Sequence, residues 1–184
     1  LAYCAAFYEG EDACYLAFGQ NNMEEDDGKE VYRIVKYDRD WNRLGAASVT
    51  AGESYTTQPY RSTSHTALAE QDGMLVLHTA RLRYQSADGL RHQSNITIKV
   101  RTSDMRVLSV SPRFPGNHVS HSFAQYVAFD GDEPVYADHG DAYPRGFALN
   151  LDTTTGYGKE LNFFPFSGEI GQNATYAIPG GLGI

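Results

Sequence analysis

The stretch HSFAQYVAFDGDEPVYADHGDAYPR, residues 121–145, has the pattern of a β-hairpin that ends in ionisable side chains. A strand-like run from Ser122 to Phe129 leads into Asp130-Gly131, and a second run, Pro134 to Ala137, leads away from it. Asp-Gly between two β-rich runs favours a tight hairpin turn, because both central positions of such a turn favour φ > 0. An earlier stretch, HTALAEQDGMLVLHTAR at residues 65–81, repeats the order. Each copy opens on His and a small hydroxyl residue (His65-Thr66, His121-Ser122) and turns at Asp-Gly (Asp72-Gly73, Asp130-Gly131). Each then closes on a second His (His78, His139) followed by an Arg (Arg81, Arg145). His65 and His121, at matching first-strand positions, are expected to bond to neighbouring backbone carbonyls.

Outward from these copies the chain keeps the same rhythm. Leu1 to Phe18 holds two apolar runs around Glu9-Gly10-Glu11-Asp12, Val31 to Tyr37 alternates as a half-buried strand does, and Leu44 to Val49 follows. The stretch 50–64 reads as a hydrophilic connection. Asn95 to Val100 alternates with Ile96, Ile98 and Val100 on one face, and Val107 to Val110 follows it. Phe147 to Leu151 and Lys159 to Phe164 stand in the same places of the next repeat. No segment shows a sustained helical period with caps. The repeats are 1–64, 65–120 and 121–172, and a fourth begins within 173–184, where Asn173-Ala174-Thr175-Tyr176 falls at the position of His65 and His121. The recurrence, at steps of roughly 50 to 60 residues, points to one four-stranded sheet per repeat. The fold class is all-β: β-propeller-like repeats of four-stranded antiparallel sheets, about three blades plus one strand. A β-sandwich is the alternative that produces similar alternation.

The repeat resembles the blades of a β-propeller, most like those of secreted or surface bacterial proteins of unassigned function. The resemblance covers nearly the whole chain. It carries no subfamily signature: no Trp-Asp closes a blade, no kelch Gly-Gly ends a strand, and Ser86-Ala87-Asp88-Gly89 only faintly echoes the sialidase box. Propellers close with about four to eight blades, so this chain is expected to be a piece of a longer protein or to join other copies. The resemblance implies an extracellular or cell-surface location.

Composition narrows the function. The 184 residues carry a net charge of −8, and no basic stripe is present to neutralise phosphates, which argues against a nucleic-acid partner. No apolar run approaches the ~18 residues a membrane span needs. An export signal would have been removed or would lie outside this sequence. Cys4 and Cys14 flank the first hairpin turn, so they pair or stay free thiols according to its register. Two sequons, Asn95-Ile96-Thr97 and Asn173-Ala174-Thr175, match the N-glycosylation acceptor pattern. The acidic run Glu24 to Gly28 reads as a solvated loop tip. Asp130-Gly131-Asp132-Glu133 offers oxygen ligands for calcium but lacks EF-hand spacing, and reads better as a charged hairpin tip. No cofactor or metal site is expected.

In a propeller the loops after each second strand share one face. Here those loops are expected to carry Gln20-Asn21-Asn22, then His78 to Arg81, then Asp138-His139-Gly140-Asp141 with Tyr143 and Arg145. His78, Arg81, Asp138, His139, Asp141, Tyr143 and Arg145 are therefore the ligand-binding candidates. Arg grips carboxylate or sulfate in a fork and Tyr stacks on sugar rings, so a glycan, especially an acidic one, is the expected ligand, with a protein partner beside it. The alternative is a carbohydrate-active enzyme, hydrolase or lyase, with His139 as general base, Asp141 orienting it, and Arg81 or Arg145 steadying an anion. A third reading is a structural or adhesive module. With no nucleophile motif in the chain, the residues lean toward binding.

Overall fold

Two hairpin turns set the register of the fold, and they differ by one residue. In the first, Gln71 pairs with Met74, so Asp72 and Gly73 form the turn, with φ of 47° and 76°. In the second, Asp130 pairs with Glu133, which puts Gly131 and Asp132 in the turn; only Gly131 has positive φ, at 59°. The first is the both-positive turn that Asp-Gly favours, and the second places Gly at the first central position instead. The tip at Asp130-Gly131-Asp132 is solvent-exposed.

The structure, a computed structural model, describes residues 3–60, 65–111, 121–142, 145–151, 159–170 and 179–184. Three antiparallel sheets follow one another along the chain. Sheet 1 is β1 (Tyr3–Glu9), β2 (Cys14–Gly19), β3 (Glu30–Tyr37) and β4 (Arg43–Thr50), in that order. A short helix, α1 (Ala51–Ser54), and a short strand, β5 (Thr56–Gln58), lead to the second repeat. Sheet 2 is β6 (Ala67–Gln71), β7 (Met74–Gln85), β8 (Arg91–Arg101) and β9 (Arg106–Ser111), with β5 as an extra strand against the far end of β7. Sheet 3 is β10 (Ser122–Asp130), β11 (Glu133–Gly140), β12 (Gly146–Leu151) and β13 (Lys159–Pro165). The fold is all-β with propeller-like four-stranded meanders. The first strand of a fourth repeat expected at 173–176 lies outside the described residues.

The connection expected over 50–64 contains structure of its own. Thr50 and Glu53 form a capping box, with the Glu53 carboxylate accepting from the Thr50 amide (2.8 Å), and this closes the single turn of α1. The signal Thr-x-x-Glu was in the sequence without a following apolar period to flag it.

Sheet 2 is the middle layer, buried on both sides. Leu75 and Leu77 on β7 and Ile96, Ile98 and Val100 on β8 join Tyr15, Ala17, Tyr32 and Ile34 of sheet 1 in the main core. The alternate residue Val76 of β7 packs with Ala69, Val127 and Tyr136 toward sheet 3. Strand periodicity puts odd and even residues on opposite faces, so one strand serves two seams. The first strands meet edge to edge: β6 lies beside β1 and beside β10, and His65 makes a parallel bridge to Ala124. Just ahead of β6, His65 places its ring Nδ1 2.7 Å from the Gln125 carbonyl and stacks on Tyr126 at 4.3 Å. The acidic run at Glu24 to Gly28 also binds rather than only facing solvent. Glu25 accepts from Arg91 Nε and from the Gln85 amide, both at 2.9 Å, which ties sheet 1 to sheet 2.

Candidate functional site

Of the residues expected on loops, His78 to Arg81 lie inside β7, and Asp138, His139 and Gly140 lie inside β11. The strands run on because His78, Arg81 and Asp138 find partners in the seams between sheets, which their polar character concealed. The structure sends these residues to three separate places.

The first is the seam between sheets 2 and 3. His78 Nε2 lies 3.1 Å from Asp138 Oδ2, and its Nδ1 lies 2.8 Å from the Thr97 hydroxyl. With the proton on Nε2, the ring donates to the carboxylate and accepts from the hydroxyl. Gln125 Nε2 donates to the other carboxylate oxygen at 3.4 Å. Hydroxyl, imidazole and carboxylate in a row suggest a nucleophile relay. Here His78 and Gln125 are 0% exposed, Thr97 is 1% and Asp138 2%, so no substrate reaches the hydroxyl and the row serves to join two sheets. Asn95 is also buried in this region, at 1% exposure, so the sequon at Asn95 is not presented on the folded surface.

The second place is the seam between sheets 1 and 2. Arg81 is 0% exposed, and its guanidinium donates to the Ser54 and Tyr55 carbonyls, to the Thr56 hydroxyl and, through Nε, to Ser94. These bonds hold the turn after α1, where Tyr55 sits in the left-handed region at φ 53°. Arg81 is therefore a clamp on a backbone turn, buried away from any ligand.

The third place is the far face of sheet 3. His139 alternates with Asp138 and so points away from the seam. Its ring stands edge-on to Phe147 (5.1 Å) and to Phe166 (5.3 Å). Burial pushes its pKa below the ordinary histidine value, with nearby Asp141 pulling less strongly the other way. Arg145 is ion-paired with Asp141 and also donates to the Asp141 and Ser167 carbonyls, both at 3.0 Å. Tyr143 lies outside the described residues. At the β2–β3 loop, Asn22 is 0% exposed and bonds to the Asp26 backbone in both directions, each at 3.1 Å.

A different concavity opens at the other end of the strands, between the hairpin tips of sheets 1 and 2. This cleft of about 390 Å³ is lined by Tyr8, Glu11, Asp12, Tyr15, Lys36, Glu70, Asp72 and Thr102, among others. Tyr15 donates to Glu70 Oε1 at 2.7 Å, so the two sheets share one wall. Burial, and then the bond to Glu70, push the Tyr15 phenol pKa well up, so it stays a neutral donor. Lys36 donates to the Thr102 carbonyl at 3.0 Å and stands 6.0 Å from the centre of the Tyr15 ring. Gly10 lies close against the Glu70 carboxylate, which would have to move aside for a side chain there. The only sequence signal was that both tips are acidic, Glu9-Gly10-Glu11-Asp12 and Glu70-Gln71-Asp72-Gly73; sheet stacking brings them together. Among the described residues, no three or more His, Cys, Asp or Glu side chains are grouped to hold a metal ion.

No helix among the described residues is long and apolar enough to cross a membrane. A scan against protein-family models finds no match, and a search among curated proteins finds no similar sequence.

Proposed function

We propose that the protein is an extracellular binding module for carbohydrate, with the ligand seated in the cleft between the hairpin tips of sheets 1 and 2. The observation that carries this reading is the bond from Tyr15 to Glu70, which makes one polar, aromatic wall from two sheets. The volume, about 390 Å³, is within the range of small-ligand sites and suits a short oligosaccharide better than a protein surface. Tyr8 offers a ring for stacking, and the carboxylates accept hydrogen bonds from sugar hydroxyls. Glu11, Asp12, Glu70 and Asp72 face a single ammonium, Lys36. That balance favours a neutral or amino-bearing sugar over an acidic one, and the arginines that pointed to an acidic ligand are buried or paired. A hydrolase or lyase built on His139 has little support, since two phenylalanine rings enclose the imidazole. The same reading takes the sheets as consecutive propeller blades, with further copies of the repeat completing the ring.

Calorimetric titration with neutral, amino-bearing and uronic oligosaccharides tests the ligand class. Tyr8→Ala or Glu70→Gln should weaken a neutral or amino sugar about tenfold, the size of one lost stacking or hydrogen-bonding contact, with the β-sheet circular-dichroism spectrum retained. A preference for uronic acids, or indifference to both changes, overturns the reading.

A further inference from the structure

A second concavity, of about 370 Å³, lies at the end of β7 away from the tip cleft. It is lined by Tyr55, Arg83, Tyr84, Gln85, Ser86 and Ala87. Consecutive strand residues ordinarily point to opposite faces, so Arg83, Tyr84 and Gln85 do not share one lining by regular alternation. The strand pairing explains it. Leu82 pairs with Gln93 and Gln85 with Arg91, so β7 takes three steps where β8 takes two. The extra residue makes a β-bulge, a device that re-aims side chains. Tyr55 reaches the same place through a second irregularity. It ends α1 at φ 53°, in the left-handed region where glycine is usual and a bulky side chain rare. Tyr55 is 54% exposed, so its own burial does not offset that conformation. Its carbonyl accepts from the Tyr84 amide at 3.0 Å and from Arg81 at 3.2 Å, which fixes the turn beside the bulge. The Tyr84 hydroxyl donates to Asp27 at 2.9 Å and steadies the second ring. The two rings stand at 89°, with centroids 5.9 Å apart.

We infer that this corner is a binding site for a small aromatic carboxylate. Two rings at a right angle receive a third against one face and along one edge, the arrangements aromatic pairs prefer. Among the described residues lining the concavity, Arg83 is the one charged side chain. It interacts within the protein as well, and the five N–H donors of a guanidinium let it hold an anion besides. Arg83 and Tyr84 are neighbours in sequence, so the ligand's charge must sit close to its ring, as in benzoate. A sugar is a poorer match, because its hydroxyls need acceptors and these six residues bring no carboxylate. The volume lies within the range of small-ligand sites. The tip cleft, whose lining carries Glu11, Asp12, Glu70 and Asp72, has the opposite charge, and the inference holds whatever binds there.

NMR titration with benzoate, benzamide and cyclohexanecarboxylate tests it, since the last two remove the charge or the aromatic ring at similar size. Benzoate should bind, and the amide shifts it causes in the unaltered protein should centre on Tyr55 and 83–87. Benzamide should bind about tenfold more weakly, the size of a lost charge-assisted pair, and cyclohexanecarboxylate about fivefold more weakly. Tyr55→Gly removes the ring while suiting the left-handed turn, and Arg83→Gln removes the charge. Each should weaken benzoate about fivefold to tenfold, with the β-sheet circular-dichroism spectrum retained. No binding of benzoate, equal binding of the three probes, or shifts centred on the tip cleft overturns the inference. So does a folded Arg83→Gln protein that keeps the affinity of the unaltered chain.

Discussion

His78 of β7 and Asp138 of β11, 60 residues apart in sequence, meet at 3.1 Å across the seam between sheets 2 and 3, with both side chains fully buried. Each comes from the second strand of its sheet, so the contact repeats the architecture at the level of single residues. Removing one member leaves the other buried beside an unmet partner. Asp138→Ala takes away the acceptor of the neutral His78 N–H and should cost about 1–3 kcal/mol, read from urea midpoints. The cycle with His78→Gln and Asp138→Asn should show a coupling of about 1–3 kcal/mol. Additive effects would mean that the two side chains do not interact in solution.

Arg81 should behave as a structural residue. Arg81→Ala uncovers the Ser54 and Tyr55 carbonyls and the Thr56 hydroxyl together, so a loss of roughly 3 kcal/mol or more is expected. Arg81→Lys should recover only part of it, since one ammonium cannot reproduce the fork. Exchange at 51–58 should speed up first. A folded Arg81→Ala protein of full stability would contradict the clamp.

His139 gives the protein a pH dependence of known sign. Burial between Phe147 and Phe166 lowers its pKa in the folded state, so as pH falls through the ordinary histidine range the unfolded chain takes up a proton first. Stability should therefore fall as pH drops from about 7 toward 5, around the unfolded value of about 6.5. His139→Phe should flatten that part of the curve of melting temperature against pH. Equal slopes for the two proteins would contradict the assignment.

The two thiols should react separately. Cys4 pairs across the hairpin with Phe18, and Cys14 pairs with Glu9. That register sets them about 15 Å apart along the strands, beyond the ~7 Å limit for a disulfide. Cys4 is exposed and Cys14 buried. A thiol reagent should label one equivalent quickly in the native state and the second only on unfolding. Simultaneous labelling, or none, would be inconsistent with this register.

Where side-chain pattern and backbone state agree, the sequence could be read closely. Val31 to Tyr37 is β3 almost to the residue, and Lys159 to Phe164 is β13 without its last position. It failed where burial on both faces replaced alternation. His78 to Arg81 were expected on a loop because His78, Thr79 and Arg81 are polar, yet these residues are buried and β7 runs on to Gln85. The expected site failed for the same reason, since ionisable side chains that suggest a ligand on a loop suit a seam equally well. The cleft at Tyr15 and Glu70 depends on contacts between repeats, to which no local pattern points.

Hydrogen exchange followed by mass spectrometry tests the layered arrangement most directly. If sheet 2 is the layer covered on both sides, peptides from β7 and the Ser94–Val100 part of β8 should exchange slowest in the molecule, with β1 and β13 far faster. Equal protection of β7 and β13, or fast exchange across Leu75 to Arg81, would contradict the stacking on which the seams and the cleft depend.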